Sequence, residues 1–170
     1  MRYYEVLGLE PKLALDPDEL KKRFYESSRQ WHPDRFTRAG AAQQQQALDM
    51  TALLNDAFRT LRDPVLRAEY FLKQKGIELS KDAPPELLEE VFELNMMLEE
   101  LRGGDESARP QLETARDRFE RMLRETDAEL ADLFARPDAL EEIRRTLNRR
   151  RYISNLVRDV QKELNVHVSN

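Results

Sequence analysis

Apolar side chains recur at three- and four-residue steps along nearly the whole chain, and the pattern breaks only at a few prolines and glycines. That periodicity predicts amphipathic helices throughout. A short helix is expected over residues 3–7, ending at Gly8, a usual C-terminal position for glycine. Asp16 suits the N-cap of a helix over 17–31, with Pro17 at its first position and Glu19 at its third. Its buried stripe is Leu20, Phe24 and Trp31, with Ser27 a weak member. Residues 36–40 read as loop. A helix over 41–61 buries Ala47, Met50, Leu54, Ala57, Phe58 and Leu61, and its glutamine run 43–46 forms an exposed first turn. Asp63-Pro64 opens another helix that reaches residue 75 and is closed by Gly76.

Residues 77–85 read as a short connector, and Pro84-Pro85 marks a fresh helix start. Three longer patterns follow over 85–101, 109–134 and 138–164, separated by Gly103-Gly104 and by Arg136-Pro137-Asp138. The middle one places Leu112, Ala115, Phe119, Met122, Leu123, Leu130 and Leu133 on one face. The last aligns Leu140, Ile143, Leu147, Ile153, Leu156, Val157, Val160 and Leu164. Long amphipathic helices joined by short loops pack as antiparallel neighbours, so a three-helix bundle is expected.

The helix over 85–101 is too apolar for one stripe. Leu87, Val91, Leu94, Leu98 and Leu101 already make a complete core face. Leu88, Phe92 and Met96 form a second, adjacent face, bordered by Glu89, Glu93 and Glu100, with Met97 nearby. One reading is a wide buried face. The other is a partly exposed apolar strip with a charged rim, the make-up of a protein-binding surface, with methionine helping it adapt. Tyr152 falls off the buried stripe of the last helix and is a candidate to complete that surface. Arg149, Arg150 and Arg151 are expected to pair with the acidic helix.

Composition narrows the classes. Only five glycines occur, and β-branched residues are sparse, which disfavours a sheet. With no cysteine there is no disulfide, thiolate metal site or cysteine nucleophile. Two separated histidines, His32 and His167, make no His-rich metal site, so neither metal nor cofactor is expected. No apolar run approaches the roughly 20 residues of a membrane span, and the first residues lack signal- or transit-peptide character. A cytoplasmic protein is expected. The net charge of −5 hides an asymmetry: residues 20–38 hold six basic and two acidic side chains, and residues 84–101 hold six glutamates and no base. An acidic chain with one local basic patch suits duplex nucleic acid poorly, because phosphate contacts dominate that affinity. A protein partner with a negative patch fits better.

The basic stretch ends in His32-Pro33-Asp34. Proline fixes its own φ and keeps the preceding residue extended, so His32 and Asp34 are displayed at a defined angle between two antiparallel helices. His32 and Asp34 could be cast as a base and its orienter, yet no nucleophile or metal set accompanies them. Glu89-Glu90 and Glu99-Glu100 lack the histidines of a carboxylate metal bundle. A docking protein, not an enzyme, is expected.

The first 75 residues or so resemble a J domain, the module through which J-proteins drive DnaK-type chaperones. The matching residues are Tyr4, Leu7 and Gly8; Leu20, Lys21, Lys22, Phe24 and Trp31 ahead of the tripeptide; then Leu54-Asn55, Ala57-Phe58, Leu61, Asp63-Pro64, Arg67 and Tyr70. Ser27 departs from the leucine usual at its position. The whole chain is similar to the HscB family of iron–sulfur cluster co-chaperones. The similarity rests on Arg67-Ala68-Glu69-Tyr70-Phe71-Leu72, the length, and an acidic bundle without a Gly/Phe-rich linker or zinc module. The resemblance implies an all-α chain: a J domain over 1–75 with its helical hairpin, a connector over 76–84, and a client-binding three-helix bundle over 85–170. It implies that Lys21, Lys22, Arg23, Tyr25, Arg29 and Arg35 engage an acidic surface of an HscA/DnaK-type ATPase, with His32, Pro33 and Asp34 at the contact that triggers hydrolysis. It also implies that Leu88, Glu89, Phe92, Glu93, Met96, Glu100 and Tyr152 hold the iron–sulfur scaffold protein. The alternative is a general J-domain co-chaperone with another client.

Overall fold

Helix ends follow local chemistry. The computed structural model describes residues 1–136 and 138–168, with the side chains of 167 and 168 outside the description. His167 and the Pro137 of the expected break therefore lie outside the described side chains. Helix α1 spans Arg2–Val6. Helix α2 spans Pro17–Trp31, and the Asp16 carboxylate accepts from the Asp18 amide at 2.9 Å, with proline at the first position where no amide needs a partner. Helix α3 spans Ala41–Arg62 and α4 spans Pro64–Gln74. The Asp63 carboxylate caps α4 by accepting from the amides of Val65 and Leu66. Gly8 and Gly76 take φ of +66° and +76°, the left-handed turn that ends α1 and α4 and that a Cβ would strain.

The chain divides into two compact units, Met1–Glu78 and Leu79–Asn170. In the first, α1, α2 and α4 gather on α3 around Tyr4, Leu7, Leu54, Leu61 and Leu72. Of the stripe expected on α2 only Leu20 is buried; Phe24, Ser27 and Trp31 are half-covered. The two aromatic members are covered by flat ring contacts: Phe24 stacks on Phe58 at 4.3 Å between centroids, and Trp31 on Phe36 at 6.0 Å. The Arg67 guanidinium is buried and donates to the Leu61 carbonyl at 2.7 Å, satisfying an acceptor that the end of α3 leaves open. Burial holds its pKa below the usual arginine range. The Tyr4 hydroxyl donates to the Lys12 carbonyl at 2.7 Å, and burial pushes its pKa up to about 12, against a smaller opposing pull from Arg67. Tyr70 accepts from the Tyr3 amide at 3.0 Å and stacks on the Tyr3 ring, tying α4 to α1.

The second unit is built from α5 (Leu88–Arg102), α6 (Arg109–Leu133) and α7 (Leu140–Val168). Single 3₁₀ turns, Pro85–Leu87 and Glu106–Ala108, lead into α5 and α6, so the pattern read as one helix from residue 85 starts with a tighter turn. Leu94, Leu98 and Leu101 meet Leu112 and Phe119 of α6, and Ile153, Val160 and Leu164 of α7. Thr126 and Thr146 are also buried, an outcome that periodicity of apolar residues misses. Each hydroxyl turns back to the carbonyl four residues earlier, Met122 at 2.7 Å and Glu142 at 2.8 Å, so the face that reaches the core is a methyl group. The segment before α5 is anchored within this unit. Three consecutive carbonyls, those of Ser80, Lys81 and Asp82, accept from Arg151, Tyr152 and Asn148 of α7 at 2.8, 2.9 and 2.8 Å.

Among the described residues there is no strand and no helix long and apolar enough to cross a membrane.

Candidate functional site

The tripeptide read as a loop is the start of a 3₁₀ turn, Pro33–Phe36. His32 closes α2 at φ −60° and ψ 130°, the extended form that a following proline imposes. Its Nδ1 accepts from the Asp34 amide at 3.2 Å, and the Arg35 amide donates to its carbonyl at 2.9 Å. The Asp34 carboxylate stands 3.6 Å from the same ring nitrogen. Both side chains remain exposed, and the contacts within the turn use Nδ1 rather than Nε2. The turn thus fixes an acid and an imidazole edge beside each other without covering either.

A groove of about 610 Å³ runs beside this turn, lined by Lys22, Tyr25, Ser28, Arg29, His32 and Arg35. Five of these carry the expectation of partner binding from sequence; Ser28 does not. Its signal is spacing, since it lies three residues after Tyr25 and four before His32 and so shares their helix face. Lys22, Arg29 and Arg35 have no carboxylate partner among the described residues, which leaves three cations for an outside anion. The structure does not bring Arg23 and Lys21 into the groove. The Arg23 guanidinium pairs with Glu19 at 2.8 Å, which holds its pKa above the ordinary value. Lys21 lines a second groove with Leu20, Phe58 and Arg62, meeting the first at Tyr25.

On α5 the second apolar face is open. Leu88, Phe92 and Met96 are 55%, 66% and 49% exposed, while Leu94, on the adjacent core face, is 2% exposed. Glu89, Glu93 and Glu100 are exposed around the strip and have no cationic partner among the described residues. The wide-buried reading of this face is therefore set aside. Met97 differs from the expectation: it is half-buried and packs on the bundle core, so it does not extend the strip. Tyr152 is half-buried as well, and its hydroxyl is engaged by Lys81.

Arg149 and Arg150 do not pair with α5 as expected. They pair with Glu129 and Asp127 of α6, the latter at 2.5 Å, because α6 is the long partner of α7. Arg151 donates to the Ser80 carbonyl and to Asn148. No group of three or more His, Asp or Glu side chains that could hold a metal ion is present among the described residues.

Comparison with known proteins decides the family. Residues 2–70 match the DnaJ domain model, and residues 83–161 match the model described as the HSCB C-terminal oligomerisation domain. The chain belongs to the HscB co-chaperone family. It is a J-domain co-chaperone of iron–sulfur cluster assembly.

Among curated HscB relatives, a co-chaperone HscB homologue of Shewanella halifaxensis is 35% identical over 139 residues, which is 78% of each chain. A Bordetella pertussis HscB homologue is 34% identical over 137 residues, covering 76% of this chain and 81% of its own. The chaperone HscB from Vibrio cholerae superposes with a TM-score of 0.69 at 30% identity, over 95% of this chain and 96% of its own. Human co-chaperone HscB has the same fold, with a TM-score of 0.73 at 24% identity over 96% of this chain and 82% of its own.

Proposed function

We propose that the chain captures the iron–sulfur scaffold protein on its bundle and presents it to an HscA/DnaK-type ATPase while the His32-Pro33-Asp34 turn triggers ATP hydrolysis. In that reading the J domain covers 1–75, the connector 76–84 and the client-binding bundle 85–170. The observation that carries it is the groove, lined by His32 and by Lys22, Arg29 and Arg35, three cations without a carboxylate partner among the described residues, with the exposed Asp34 carboxylate 3.6 Å from His32 Nδ1. Lys22, Arg29 and Arg35, with flanking support from Lys21, Arg23 and Tyr25, steer and orient an acidic chaperone surface; exposed charges act mainly on encounter. His32, Pro33 and Asp34 make the triggering contact. The chain breaks no bond itself.

On the bundle, Leu88, Phe92 and Met96 supply most of the client-binding energy, and Glu89, Glu93 and Glu100 orient the client. Tyr152 contributes through its ring, its hydroxyl being held by Lys81. The protein works in the cytoplasm. The test is steady-state ATPase of the chaperone with His32→Gln or Asp34→Asn. Both are exposed, so the fold should survive, while stimulation collapses. Wild-type stimulation by either variant would show the turn to be no trigger.

A further inference from the structure

We infer that Gln44 is a positioning residue that sets the geometry of the trigger turn; the inference rests on the reading of that turn given above. The glutamine run at the start of α3 is exposed, yet Gln44 reaches beyond its own helix. Gln44 Nε2 lies 3.1, 3.3 and 3.2 Å from the carbonyl oxygens of Phe36, Thr37 and Ala39 and donates to this cluster. Gln45 instead serves its own helix, donating to Asp49 at 2.9 Å. The run is thus more than a solvated turn. A primary amide has two hydrogens, and here they face three carbonyls between the 3₁₀ turn and α3, of which that of Phe36 also accepts from the Ala39 amide at 3.0 Å.

The grip propagates to the tripeptide. Phe36 closes the 3₁₀ turn that begins at Pro33, and its ring lies parallel to Trp31, the residue before His32. From the other side the Thr51 hydroxyl, also on α3, shares its one hydrogen between the Ala47 carbonyl at 2.8 Å and the Trp31 carbonyl at 3.3 Å. Helix α3 therefore holds the turn at both ends, through Thr51 before His32 and through Gln44 after Asp34. Between these anchors the turn is closed by its own bonds to His32.

A local helix role and a positioning role make opposite predictions for Gln44. Alanine is the better helix former, and a glutamate in the first turn gains from the helix dipole. If Gln44 served only α3, Gln44→Ala and Gln44→Glu would keep or raise thermal stability and leave activity alone. If it positions the turn, both lose function, and Gln44→Glu loses more because its carboxylate faces carbonyl oxygens. Gln44→Lys restores donors and recovers most of the loss.

The experiment is a titration of each full-length variant against the DnaK-type ATPase, reading maximal stimulation and half-maximal concentration separately. Gln44→Ala should lower maximal stimulation by roughly fivefold, the scale of one ordinary hydrogen bond. The half-maximal concentration should stay within about twofold, because Lys22 and Arg29, two of the groove cations that govern encounter, lie on α2 outside the turn. Asp34→Asn is run alongside. If Asp34→Asn is inactive while Gln44→Ala and Gln44→Glu reach wild-type maxima, the positioning role is wrong and the trigger reading stands. If Asp34→Asn stimulates like wild type, the trigger reading itself fails, and this inference with it.

Discussion

Truncating the apolar strip of α5 should separate client binding from stability on a single helix. Leu94 is 2% exposed, so Leu94→Ala removes buried methyl groups and leaves a cavity, costing about 3 kcal/mol. For a unit of this size that corresponds to a fall in Tm of about 10–20 °C. Leu88 and Phe92 are more than half exposed, and water refills the space their side chains vacate. Their remaining burial is worth about 1 kcal/mol each, and alanine returns a few tenths per site through helix propensity. The double variant Leu88→Ala with Phe92→Ala should therefore lose only about 1 kcal/mol and roughly 5 °C. Binding should respond in the opposite order. Hot-spot truncation costs about 2 kcal/mol or more, so the double variant should weaken scaffold-protein binding at least tenfold, about 1.4 kcal/mol. Thermal melts and isothermal titration against the scaffold protein read the two quantities independently. Client-free stimulation of the chaperone should not change. An early-melting double variant beside a normally melting Leu94→Ala would mean that the two faces are assigned backwards. Undiminished scaffold binding at unchanged stability would remove the strip as the client site.

Further outcomes follow from the same geometry. Charge reversal at Lys22 or Arg29 should slow association with the chaperone and flatten its salt dependence, and stopped-flow rates that ignore ionic strength in the wild type would reduce the groove to a solvated face. Burial raises the folded-state pKa of Tyr4 to about 12 from an ordinary 10.0, so its contribution to stability is complete below pH 10 and is lost as pH rises towards 12. Denaturant midpoints across that range should fall in wild type and fall less in Tyr4→Phe; equal falls in the two would remove Tyr4 as a source of the alkaline loss. Tyr152→Phe should keep scaffold affinity within about twofold and cost roughly 1 kcal/mol of bundle stability through the lost bond to Lys81; a large affinity loss with unchanged stability would mean that the hydroxyl serves the client.

Features governed by nearest neighbours were legible in the sequence. Asp16 caps where it was read to cap, Asp63-Pro64 opens a helix as read, and Gly8 and Gly76 end helices, because a helix end is decided within three or four residues. The surplus face of α5 was legible for a related reason: one helix offers the core a single stripe, and apolar residues beyond it need another partner. Partners chosen across space were not legible. Arg149 and Arg150 had acidic candidates on both neighbouring helices, and only packing settles that α6 supplies them. Thr126 and Thr146 read as polar because nothing in their identity announces a hydroxyl folded back on its own helix. Gln44 read as an exposed glutamine among four, since its acceptors come together only when α3 meets the turn. Arg23 and Lys21 belonged to the basic run in sequence, but the roughly 100° step of a helix carries them off the groove face.

The central claim is that one chain delivers client and trigger together. The direct test is chaperone ATPase with scaffold protein present, below half-saturation, comparing wild type with an equimolar mixture of Asp34→Asn and the Leu88→Ala, Phe92→Ala double variant. Each component of the mixture keeps one function, so both functions are present but on different molecules. Linkage in one chain raises local concentration, so wild type should exceed the mixture by about tenfold or more. A mixture that matches wild type across the titration would contradict the account.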